Sequence, residues 1–124
     1  MNLDEFLSAY PEDISKIAAA LRDRILVIFP DAVETMDKNN LGFGFGRGYK
    51  DLVFVIMPYR SHVNLGIARG AELELSDELD LLEGSGKLHR HVKIRSVQEL
   101  ENVDFIQLMR IALQAARDRF HPGT

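Results

Sequence analysis

Cysteine and tryptophan are both missing from this chain of 124 residues. Without cysteine there can be no disulfide, no thiolate nucleophile, no cysteine-held iron–sulfur cluster and no cysteine-type zinc site, so a metal would need histidine and carboxylate ligands. A long hydrophobic run is missing as well. The longest, Leu52 to Met57, falls far short of the ~20 residues that a membrane helix needs, so no membrane partner is expected. Positive charge is not in excess: the formal net charge is −4, which argues against a nucleic-acid partner. The opening Met1-Asn2-Leu3-Asp4-Glu5 carries acid where a secretion signal carries basic residues, which makes a cytoplasmic location the expectation. Proline is scarce, and each of the four marks a boundary: Pro11 at a helix start, Pro30 at its end, Pro58 at a turn and Pro122 past the last helix.

The residues that are present read as one α+β domain spanning 1–124, long enough to bury a core without staples. Asn2 with Glu5 has the spacing of a helix cap over a short helix near residues 3 to 9. Ile14, Ile17, Ala18, Leu21, Ile25 and Ile28 follow the helical period between Pro11 and Pro30. Phe105, Leu108, Met109, Ala112, Ala116 and Phe120 do the same in a second long helix, from near Asn102 to Asp104. Between them lie strand patterns. Val33 to Asp37 alternates; Leu41-Gly42-Phe43-Gly44-Phe45 sets apolar residues on one face and bare backbone on the other; Leu52 to Met57 reads as a central strand. Pro58-Tyr59-Arg60 turns into the alternating His62 to Ala68, and a second alternating run covers His91 to Arg95. Ser96 and Glu99 are spaced as a capping box, and Ser76 is placed to cap a short turn ended by Gly84 inside an acidic segment, 71 to 83. The expected architecture is a two-layer sandwich, an antiparallel sheet with the N- and C-terminal helices on one face.

That arrangement leaves the second sheet face open. On it the alternation places His62, Asn64, His91, Lys93 and Arg95, with the glycine row 42, 44 and 46 offering room for a ligand to lie close. His91, Lys93 and Arg95 stand about 7 Å apart along one strand, so their charges sum over a short distance. These five residues form the candidate site for a small anionic ligand or an acidic protein partner. His89 and His91 also present two imidazoles to one side as a possible metal pair. The turn Gly84-Ser85-Gly86-Lys87 lacks both the earlier glycine and the following Ser or Thr of a phosphate loop. No spacing points to a catalytic triad or a paired-carboxylate centre, so a non-enzymatic binding module without a cofactor is expected; metal ligands and oligomeric state are left open.

The run Val63-Asn64-Leu65-Gly66-Ile67-Ala68-Arg69-Gly70-Ala71-Glu72-Leu73, then Leu82-Glu83-Gly84-Ser85-Gly86-Lys87 and Arg90-His91-Val92-Lys93-Ile94-Arg95, resembles the YdhG-like family of small bacterial proteins. The resemblance implies a frataxin-like α+β sandwich. For some members it also implies an intracellular iron chaperone, and this is the alternative function. Frataxin-like proteins hold iron on an acidic ridge along the first helix and strand. The matching carboxylates here are Glu12, Asp13, Asp23, Asp31, Glu34 and Asp37. No catalytic residues come with the resemblance.

Overall fold

A computed structural model of the chain describes residues 1–76 and 81–121. Two helices come first, α1 (Leu3–Ser8) and α2 (Glu12–Ile28). Asn2 caps α1, its Oδ1 accepting from the Glu5 N–H at 2.9 Å. Pro11 occupies the cap position of α2, with Glu12 and Asp13 in the first turn, where the positive end of the helix dipole favours acids. Then follow β1 (Val33–Met36), β2 (Leu41–Gly44), β3 (Leu52–Pro58), β4 (Val63–Ile67), β5 (Leu82–Glu83), β6 (Arg90–Ile94) and the closing helix α3 (Val103–Phe120). Asn102 caps α3 by accepting from the Asp104 and Phe105 N–H groups. None of the described helices is long and apolar enough to cross a membrane.

Among the described residues the strands form one six-stranded sheet in the order β1-β2-β3-β4-β6-β5, with every neighbour antiparallel. Both long helices pack on the same face, as the hydrophobic periods require. Ile14, Ile17, Ala18, Leu21 and Ile25 of α2 and Phe105, Leu108, Met109, Ala112 and Ala116 of α3 meet Leu41, Phe43, Phe54, Ile56, Leu65, Ile67 and Ile94 in a single core. At ~25 cal/mol per Å2 of apolar surface removed from water, burial of these side chains is the dominant stabilising term. Phe45 lies past the end of β2 and packs at a tilt against Phe29 and Phe120, and the Arg117 guanidinium lies over both Phe29 and Phe45.

Two local expectations need correction. The capping box at Ser96 does not form: the Glu99 carboxylate accepts from the Arg95 N–H at 2.8 Å, and Ser96 makes no side-chain cap. The acidic segment opens with a 3-10 turn over Gly70–Ser76, and the turn expected between Ser76 and Gly84 falls largely on 77 to 80, which lie outside the described residues. Leu82 and Glu83, read as loop, form an edge strand because β6 offers them a hydrogen-bonding edge.

Candidate ligand-binding site on the open sheet face

Register decides what the uncovered face carries. Thr35, Gly42, Val55, Gly66, His91 and Glu83 stand side by side across the sheet, and one rank along lie Met57, Asn64 and Lys93. Their neighbours in sequence, such as Phe54, Ile56, Leu65 and Val92, point into the core, so these residues point away from the helices.

A trough of about 480 Å3 lies on this face. Leu52, Val55, Met57, Gly66 and Ala68 give it an apolar floor, and Thr35, Asp37 and Asn40 border one end. Tyr49 and His89 bracket the other end, where the Tyr49 hydroxyl and the His89 Nε2 lie 2.8 Å apart and the rings meet edge to face. The loops before β3 and before β6 are thereby joined. Two charged groups on the rim are committed to the chain itself. Asp37 accepts from the Asn39 and Asn40 N–H groups in an Asx turn, and these bonds hold its carboxyl below the usual range. The Arg90 guanidinium bonds to Glu74 and to the carbonyls of Gly86 and His89.

The five sequence-selected residues gather at one corner of the same face, and only His91 reaches the trough. His62 and Arg95 continue the alternation just beyond the ends of β4 and β6. Burial pushes the His62 imidazole pKa down, and Lys93, Arg95 and His91 push it further; Glu83 opposes them. His62 stacks on Tyr59 with centroids 4.9 Å apart. Among the described residues neither Lys93 nor Arg95 has an ion-pair partner. Asn64 is only 8% exposed, and its Oδ1 has no hydrogen-bond partner.

The glycine row does not leave bare backbone for a ligand. A Cβ at Gly42 would stand 2.6 Å from the Thr35 hydroxyl and 2.8 Å from a Leu52 methyl, and one at Gly44 would stand 2.3 Å from the Asp51 carbonyl oxygen. Gly46 faces the Asp51 carboxylate. The chain's own return loop uses the space. Tyr49, Leu52, Val55 and Met57 shape the trough, but period two signals only Val55 and Met57, on the face opposite Phe54 and Ile56; Leu52 reaches this face through the register shift between Phe43 and Gly44, and Tyr49 through the turn before β3.

His89 turns to Tyr49 rather than pairing with His91, and among the described residues no three His, Asp or Glu side chains converge as a metal site would require. Several ridge carboxylates are engaged with cations: Glu34 with Arg22, Asp31 with Arg117 and Glu12 with Lys16. In the acidic segment, Glu72 meets Arg69 and Arg119, and Glu74 meets Arg90. No curated protein and no solved structure matches the chain. A family model described as "Domain of unknown function (DUF5655)" matches residues 3–116, and the chain belongs to that family.

Proposed function

We propose that this chain is a non-enzymatic binding module, and that its ligand is a small molecule with an apolar body and an anionic group, held on the open sheet face. The observation that carries this reading is the trough beside a row of cations without ion-pair partners among the described residues. Its volume falls in the roughly 300 to 1,000 Å3 range of small-molecule sites, and its lining has their usual make-up of apolar floor and few polar groups. Binding rather than turnover is supported by the commitment of Asp37 and Arg90 to structural bonds. The frataxin-like arrangement expected from the YdhG-like resemblance belongs to the same proposal; it draws support from two end helices on one face of an antiparallel sheet.

The test is a panel of alkyl and aryl carboxylates titrated against isotope-labelled protein. Shifts concentrated on Leu52, Val55, Gly66, Ala68 and His91, lost in Val55→Trp with the fold intact, are the expected result. Absence of any binder, or binding indifferent to Val55→Trp, would refute the reading.

A further inference from the structure

Met57 stands where the trough and the cationic corner meet. It lies in register with Asn64, and its methyl reclines toward Gly66, with Cε 2.8 Å from where a Cβ would be. Only glycine at 66 leaves that space, so the Met57 side chain fills the floor between the trough and the corner that holds Asn64 and Lys93. This explains why the trough stops short of those two residues.

Asn64 is the second observation. Its neighbours Val63 and Leu65 are in the core, so its side chain points to the open face; its register partners there are Met57 and Lys93. A side chain 8% exposed with an unbonded amide oxygen is an unusual thing to keep, because a buried polar atom without a partner is costly. An amide can turn by half a revolution and present its NH2 in place of the oxygen. Lys93, directly opposite, is a second donor without an ion-pair partner among the described residues. Methionine is unbranched and turns about three bonds, which makes it easy to displace.

We infer that Met57 partitions one longer site, and that the ligand is an amphiphilic monocarboxylic acid whose chain lies in the trough and whose carboxylate, once Met57 swings off Gly66, is held by Lys93 Nζ and the Asn64 amide. This rests on the reading of the trough as the ligand site. Met57 is then a specificity-determining residue, setting the cost of reaching the anion subsite, and Gly66 is the position that lets it rest there.

The probes are octanoate and its neutral counterpart octanamide, titrated calorimetrically into the full chain, with the Asn64 side-chain amide followed by NMR. Octanoate is expected to bind at least tenfold tighter than octanamide and alone to shift the Asn64 amide resonances. Lys93→Met should abolish that preference while leaving octanamide affinity unchanged. Met57→Ala should strengthen octanoate several-fold and octanamide much less. Equal affinity of the two probes in the wild type, or a preference that survives Lys93→Met, overturns the inference. If octanamide binding is lost in Val55→Trp while no acid preference exists, the trough stands and the Met57 partition falls. If neither probe binds, both fall.

Discussion

Arg22 on α2 grips Glu34 on β1 with two parallel hydrogen bonds, Nε to Oε2 at 2.6 Å and Nη2 to Oε1 at 2.9 Å. Both side chains are 27% exposed, on the helix-covered side, so the pair ties the edge of the sheet to the helix layer. The bonded carboxylate raises the Arg22 pKa, chiefly through the hydrogen bond. Bidentate, partly buried pairs are worth more than surface ones. Glu34→Gln should cost about 1 to 2 kcal/mol, read as a fall in Tm of roughly 3 to 8 °C. Exchanging the two residues should recover most of it; an unchanged Tm in Glu34→Gln would show that the pair contributes nothing.

The shared core makes a second prediction. Ile17 on α2 is 2% exposed and Leu108 on α3 is 3% exposed. Either Ile17→Asp or Leu108→Asp buries a carboxylate without a partner and should cost several kcal/mol. Phe54→Ala, a cavity at the centre of β3, should cost about 3 to 5 kcal/mol. Denaturant midpoints are the measurement, and a wild-type midpoint in either aspartate variant would contradict the assigned helix faces.

Two glycines separate by what they face. Gly44 meets backbone, the Asp51 carbonyl, which cannot withdraw without opening the return loop bonded from the Phe45 N–H to the Asp51 oxygen at 3.0 Å. Gly66 meets the far end of Met57, which can. Gly44→Ala should therefore lose about 1 to 3 kcal/mol by overpacking, while Gly66→Ala should stay within about 1 kcal/mol of the wild type. Equal losses in the two variants would mean that Met57 is locked rather than mobile.

His62 supplies the pH dependence. Its folded pKa lies below the unfolded value of 6.5, first because of burial and then because of Lys93, Arg95 and His91, with Glu83 opposing. Between the two values the unfolded chain binds more protons, so stability is complete above about pH 6.5 and is lost as pH falls through the folded pKa. An NMR titration should place the His62 midpoint below 6.5, and added salt should raise it only in part, because salt screens the cations but not the burial. A His62→Gln variant should flatten the stability profile in that window.

Much of the scaffold can be read from residue order because its signals are local. The periods of Ile14 to Ile25 and of Phe105 to Ala116 specify two buried stripes, and alternation in Val63 to Ile67 and Val92 to Ile94 specifies which side of the sheet each residue takes. The candidate site is less legible because its shape comes from contacts distant in sequence. Nothing near Gly44 announces that Asp51 will occupy its open side, and nothing near Tyr49 announces a bond to His89. The position of Met57 over Gly66 follows only once β3 and β4 are in register. Glu99 shows the same limit at short range: its spacing from Ser96 suits a capping box, but the Arg95 N–H takes the carboxylate.

The order of strands around β4 has a kinetic consequence. Its seam with β3 is closed by a tight hairpin, the Tyr49-to-Asp51 turn being far from it and the Tyr59 N–H bonding the His62 carbonyl at 2.8 Å. Its seam with β6 needs Ile67 to find Arg90 across a long excursion of chain, so the entropy of loop closure makes it the later seam to zip. Asn64 and Lys93 face each other across that late seam. If the β4–β6 contacts form after the folding barrier, an acid bound between Asn64 and Lys93 would lengthen the lifetime of the folded chain and leave the speed of folding nearly unchanged.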